Sequence, residues 1–167
     1  MGAGTWESHH AITTLLFRYA ECVDLADFDG LAELFAHGRL RSTAAAESGE
    51  GMRGPALARF YAATNRVHAD GTLRTRHLTT NVRVDIDEDA GTATARSYYL
   101  VLQATEKLPF QPIVAGRYED RFERADGVWR FTERLVHVDQ MGDLSEHLSF
   151  DLSSGDVRYA DVVPPKG

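Results

Sequence analysis

The apolar positions of this chain change period once. Up to about residue 61 they recur at three and four, and from Thr75 onward they alternate. Residues 1–5 read as a loose start, with Ser8 as the cap of a first helix whose Ile12, Leu15, Leu16, Tyr19 and Val23 form one apolar face. Asp24 falls at the margin of that face. Asp27 and Asp29 introduce a second, short helix with Leu31, Leu34 and Phe35 as its inner side and Gly38 as its stop, so a helical hairpin is predicted. Residues 39–53 are small and polar, which predicts a weak strand and then a mobile loop around Gly49 and Gly51. Gly54-Pro55 opens a third helix with Leu57, Phe60 and Tyr61 on its apolar face, and residues 65–73 read as a loop.

In the stretch 75–86 the alternation puts Leu78, Thr80, Val82, Val84 and Ile86 on one face and His77, Thr79, Asn81, Arg83 and Asp85 on the other. An imidazole and an amide in line are more polarity than a closed core accepts, so the second face is expected to line a pocket. Beyond a turn at 87–91, a long strand runs over 92–105 with Tyr98 and Tyr99 on opposite faces. After a break at 107–112, Val114, Gly116, Tyr118, Asp120 and Phe122 alternate with charged residues. Asp126-Gly127 signals a hairpin into a last strand, 128–139, with Trp129, Phe131 and Leu135 facing one way and Arg130, Thr132 and Arg134 the other. Helices first and then a meander of strands predict an α+β fold, a curved, mostly antiparallel sheet wrapped around the N-terminal helices. Residues 1–141 form its single domain. Residues 142–167, with Leu144, Leu148 and Phe150 as contacts, are expected to be a C-terminal arm or lid.

Composition narrows the function. The 167 residues have room for one core, and 43% hydrophobic with 26% charged residues is ordinary for a globular protein. A net charge of -7 with no basic stripe argues against nucleic acid as a partner. No basic start precedes an apolar run, and no run approaches the ~20 residues of a membrane span, so no membrane partner and a cytoplasmic location are expected. The single cysteine, Cys22, agrees with a reducing compartment and reads as a small buried helix residue.

Glycine-rich phosphate loops, Gly-x-Ser-x-Gly and His-Glu-x-x-His are all missing from the sequence. His9 and His10 point about 100° apart on a helix, so no metal site is expected from them. What remains is an acid at a helix margin, Asp24, and an imidazole on a strand face, His77. A carboxylate that accepts from one imidazole nitrogen leaves the other as a base and stabilises the imidazolium formed on proton uptake. The same residue types also serve as helix caps and as satisfied structural histidines.

The order of these residues carries more. Arg18-Tyr19-Ala20, Asp24, Phe35, Arg76-His77, Asn81, Gly116-x-Tyr118-x-Asp120 and Gly127-x-Trp129-Arg130 followed by Arg134 resemble the polyketide-cyclase-type (SnoaL-like) branch of the nuclear transport factor 2-like superfamily. The likeness runs from about Thr5 to Asp139 and is most similar in pattern to scytalone dehydratase, bile-acid dehydratase and hexachlorocyclohexane dehydrochlorinase. It implies a cone-shaped α+β barrel with a pocket in its open end, no cofactor, and an Asp-His pair at Asp24 and His77. It further implies a dehydratase-type lyase acting on a hydrophobic cyclic or polycyclic small molecule, in a homotrimer or homodimer. Isomerases, polyketide cyclases, non-catalytic binders and oxygenase small subunits share the superfamily and stay open as alternatives. Tyr19 resembles a tyrosine that would donate to an oxygen gaining charge; otherwise it is a core tyrosine. Arg134 is a candidate clamp for a carboxylate or enolate, or a solvated strand charge. Asn81 is a candidate for orienting a substrate carbonyl or for pinning its own strand edge, and Tyr118 for substrate contact or packing.

Overall fold

The computed structural model describes residues 3–43 and 50–150. Three helices, α1 (Ala3–Asp24), α2 (Phe28–Leu34) and α3 (Gly54–Thr64), precede or interleave with five strands, β1 (Arg39–Ser42), β2 (Thr75–Asp87), β3 (Thr92–Gln103), β4 (Gln111–Ala125) and β5 (Val128–Met141). The strands form one sheet in the order β1-β5-β4-β3-β2, parallel only between β1 and β5. Its two edge strands do not pair, so the predicted cone is a curved sheet left open between β1 and β2.

The helices lie where the apolar pattern puts them, with one correction at the start. Helix α1 begins at Ala3, and Ser8 lies buried inside it on the same row as Ile12, Leu16 and Ala20, so it caps nothing. Asp27 does cap α2, accepting from the Gly30 amide at 2.9 Å. Pro55 stands in the first turn of α3. The weak strand of 39–53 is β1, whose Leu40 also bridges to Met52. The loop expected beyond it lies partly, at 44–49, outside the described residues. No helix among the described residues is long and apolar enough to cross a membrane.

Two β-bulges reassign faces. On β2 the register slips between Thr80 and Arg83, and Asn81 takes a left-handed φ of 53°. One inserted residue reverses the alternation, so the expected faces are corrected. His77 and Thr79 share the inner side with Val82, Val84 and Ile86, while Leu78, Thr80 and Asn81 are exposed. On β5 Phe131 pairs with Phe122 and Glu133 with Arg121, leaving Thr132 as the extra residue. Arg134 therefore turns to the Phe131 side and is wholly buried, whereas strict alternation predicts the opposite face.

Inside the sheet, aromatic rings fill the core. Phe35 stacks on Phe131 at 4.9 Å and Tyr99 on Tyr118 at 4.4 Å. Gly116 lets β5 approach this stack: a Cβ there would overlap the His137 carbonyl oxygen and lie 2.8 Å from the Tyr99 hydroxyl. Gly116→Ala is expected to cost roughly 2 kcal/mol, read from urea unfolding midpoints, because backbone and a packed ring would both have to move. An unchanged midpoint would show that the strands have slack.

Candidate active site

Helix α1 ends against the beginning of β2, and this junction assembles the pair that the sequence singles out. The Leu73 amide donates to the Asp24 carbonyl, which brings the next residues past the carboxylate. Thr75 and His77 then point inward together, two residues apart on one strand face. Asp24 Oδ1 accepts from the Thr75 hydroxyl at 2.7 Å and lies 2.6 Å from His77 Nδ1, and Oδ2 accepts from the His77 amide at 3.0 Å. The carboxylate is thus fixed through both oxygens. Burial alone would raise its pKa, but the bonds from His77 and Thr75 outweigh burial and hold it below the usual carboxylate range. An ionised Asp24 makes Nδ1 the protonated nitrogen, and no group among the described residues claims Nε2. That nitrogen is available as a base. The side chains are 8% and 12% exposed for His77 and Asp24, so the pair lies largely out of water.

A recess of about 370 Å³ reaches both residues, lined also by Phe17, Ala20, Leu25 and Thr79, with Glu21 and Arg76 at its charged side. A larger one, about 560 Å³, lies at the far hairpin end near Asp85 and Arg121 and touches neither.

The other expected site residues fall in three places. Tyr19, five residues before Asp24, is buried, and its hydroxyl meets that of Tyr61 on α3 at 2.8 Å. Burial raises the Tyr19 pKa and outweighs the nearby Arg134 charge, so the phenol stays protonated and able to donate. Arg134 is no solvated charge: its Nε and Nη2 bind Asp120 at 2.7 and 2.9 Å, and its guanidinium lies 4.1 to 4.2 Å from the rings of Tyr118 and Tyr19. Burial disfavours its charge, yet the Asp120 carboxylate holds it more firmly protonated than usual. Only Nη1 is left without a hydrogen-bond partner. Tyr118 packs between Tyr99 and Arg134. Asn81, exposed at the bulge, is not brought to His77.

Sequence reasoning misses three residues. Thr75 shares the period-two face of His77 and can be found from it. Tyr61 counts in the sequence only as an apolar helix position. His147 follows β5 and gives no local signal, yet it stands near enough to His77, Asp24 and His68 to feel their charges, and desolvation pushes its pKa down to about 4. The unfolded chain, with a histidine near 6.5, binds more protons than the folded one between those values. The stability that this group contributes is complete above about 6.5 and is lost as pH falls toward about 4. Thermal midpoints should drop over that window, and His147→Gln should flatten the drop; equal slopes would assign the acid sensitivity elsewhere.

Cys22 is a buried thiol whose pKa burial raises to about 11, so it is no nucleophile at neutral pH. Among the described residues no cluster of His, Cys, Asp and Glu is placed to hold a metal ion.

Comparison with known proteins identifies the family and the fold. Residues 4–135 match the SnoaL-like domain. The chain belongs to the SnoaL-like family. A solved protein of unknown function from Mycobacterium tuberculosis shares 30% identity with this SnoaL-like chain, over 98% of it and 89% of that chain, at a TM-score of 0.67. A Novosphingobium aromaticivorans protein proposed to be a scytalone dehydratase is 21% identical over 86% and 91% of the two chains, with TM-score 0.64. LinA is 23% identical over 84% and 92%, with TM-score 0.62. The last two likenesses speak for the fold, which is that of nuclear transport factor 2-like, cystatin-like proteins. None of the curated proteins matches the sequence.

Proposed function

We propose that this protein is a cofactor-independent lyase that removes water, or another β leaving group, from a hydrophobic cyclic or polycyclic small molecule. The observation that carries the proposal is the Asp24-His77 contact of 2.6 Å, with the carboxylate pinned by Thr75 and by the His77 amide. His77 Nε2 takes a proton from carbon next to a carbonyl. The electron pair forms an enolate, and its return expels the leaving group from the β carbon. Asp24 stabilises the imidazolium and keeps its ring in place, which lowers the barrier as charge develops. Tyr19, its hydroxyl protonated and oriented by Tyr61, donates to the enolate oxygen or the leaving group. An isomerase or cyclase would share the proton abstraction and differ in the fate of the enolate.

The test is a panel of cyclic β-hydroxy ketones monitored for the absorbance of the conjugated enone. Turnover with stoichiometric loss of water is expected. Turnover of the ketone to a rearranged isomer without water loss would favour the isomerase.

A homo-oligomer, trimeric or dimeric, belongs to the same proposal, since Leu78 and Tyr98 stand 44% and 52% exposed on the outer sheet face. Light scattering at micromolar concentration should give a multiple of the 18.5 kDa chain mass, and a monomer would contradict it. In the same proposal residues 142–167 are a C-terminal arm or lid. Residues 151–167 of it lie outside the described residues.

A further inference from the structure

At one corner of the outer sheet face, positive charge gathers without a match. Arg39 on β1, Glu133 on β5 and Arg121 on β4 are register partners across three adjacent strands, so their side chains share a face. It is the face opposite the buried row of Asp120 and Phe122. Arg53 reaches the same corner from the start of α3, because Met52 beside it pairs with Leu40. These four residues, with His37 and the bulged Thr132, line a recess of about 430 Å³. It shares no lining residue with the recess at Asp24 and His77.

The one carboxylate in this recess is already engaged. Glu133 Oε2 lies 2.6 Å from Arg39 Nε and 3.8 Å from Arg41 Nη1, so two guanidinium groups of β1 share it, and Arg121 makes no ion pair with it. Arg121 is the exception on its strands. Of the other arginines of β4 and β5, Arg117 binds Asp139, Arg124 binds Glu88, Arg130 binds Glu123 and Arg134 binds Asp120. Asp85 and Asp87 stand beyond Arg121 in the neighbouring recess, yet among the described residues neither they nor any other carboxylate forms an ion pair with Arg121 or Arg53. Arg53 makes no cap bond with its side chain, and the first turn of α3 holds no acid. Two unmatched guanidinium groups that line one recess repel each other until an anion lies between them.

We propose that this recess is a second binding site, which takes a phosphate group between the guanidinium groups of Arg53 and Arg121. A guanidinium presents its N–H donors in a fork that fits two phosphate oxygens, and a phosphate of nearly two charges balances two cations where chloride balances one. The phosphate comes either as the free ion or on a small phosphate ester, for which the recess has room. Arg39 stays with Glu133 and forms the wall. The proposal uses neither Asp24 nor His77, so it stands apart from the lyase reading.

The experiment titrates the full ¹⁵N-labelled chain with inorganic phosphate and with phenyl phosphate, the ionic strength being held constant with sodium chloride because salt screens exposed charges. The side-chain Nε–H signals of Arg53 and Arg121 are expected to move along saturating curves while that of Arg117 stays in place, a result that needs no variant to fold. Arg53→Gln and Arg121→Gln should each weaken phosphate binding about tenfold, as expected for the loss of hydrogen bonds from a charged donor. Arg117→Gln and His77→Ala should leave the affinity unchanged. Saturation by inorganic phosphate alone assigns the recess to the free ion, and tighter saturation by phenyl phosphate assigns it to an ester; either supports the proposal. Shifts that rise linearly without saturating, an affinity unchanged in both Arg53→Gln and Arg121→Gln, or an equal loss in Arg117→Gln would each overturn it.

Discussion

Replacing His77 by alanine should lower turnover by about 10³-fold or more while leaving the fold intact, since a positioned general base contributes roughly 10² to 10⁴. The ring contributes little to the core that its neighbours do not supply: Thr75 still bonds Asp24 Oδ1, and the backbone amide of residue 77 still bonds Oδ2. Asp24→Asn should retain the fold and lose most of the rate, because an amide can hold the ring but cannot stabilise imidazolium. Affinity for a product-like ligand should survive both changes, as the pair acts mainly in the transition state. Steady-state kinetics with thermal unfolding controls check this. A kcat within a few-fold of wild type in His77→Ala would remove the base from the mechanism.

The second large effect is on stability. Arg134 and Asp120 are both wholly buried at the centre of the aromatic core, bound to each other through two short contacts. Arg134→Met leaves an unpaired carboxylate in a dry interior, and breaking a buried pair on one side costs about 3–5 kcal/mol. Urea unfolding should report a loss of that order. Adding Asp120→Leu to Arg134→Met should recover most of it, since a buried pair exchanged for apolar residues is often neutral. If the single change is tolerated, the guanidinium is reaching solvent or another partner and the packing around Tyr19 and Tyr118 needs revision.

Much of the fold is legible in the chain. The helix rows around Ile12 and Leu31, the Asp126-Gly127 turn and the clean alternation of β3 all come from residues within one element, where the period is set by local geometry. Asp24 and His77 are legible for the same reason: each lies at a definite place on its own element. Sequence reading fails at the bulges. Inserting Asn81 or Thr132 shifts the phase of every residue beyond it, and nothing in those side chains announces the insertion. Asn81 tolerates a left-handed backbone, a hint that applies equally to a turn. Arg134 is misplaced by that one-residue shift, while its partner Asp120 is correctly placed on the inner row of β4. His147 lies seventy residues from His77 in the chain, on a segment without periodicity, and only the folded chain fastens its carbonyl to the Arg66 amide ahead of β2.

The most direct test of the central claim is hydrogen exchange at carbon. A bicyclic ketone such as 1-tetralone, incubated in D₂O with the protein and followed by proton NMR, should lose the signal of its α protons faster with wild type than without protein. Exchange should return to the background rate with His77→Ala and nearly so with Asp24→Asn. Exchange that is equally fast with all three proteins would mean that the Asp24-His77 pair does not take a proton from carbon.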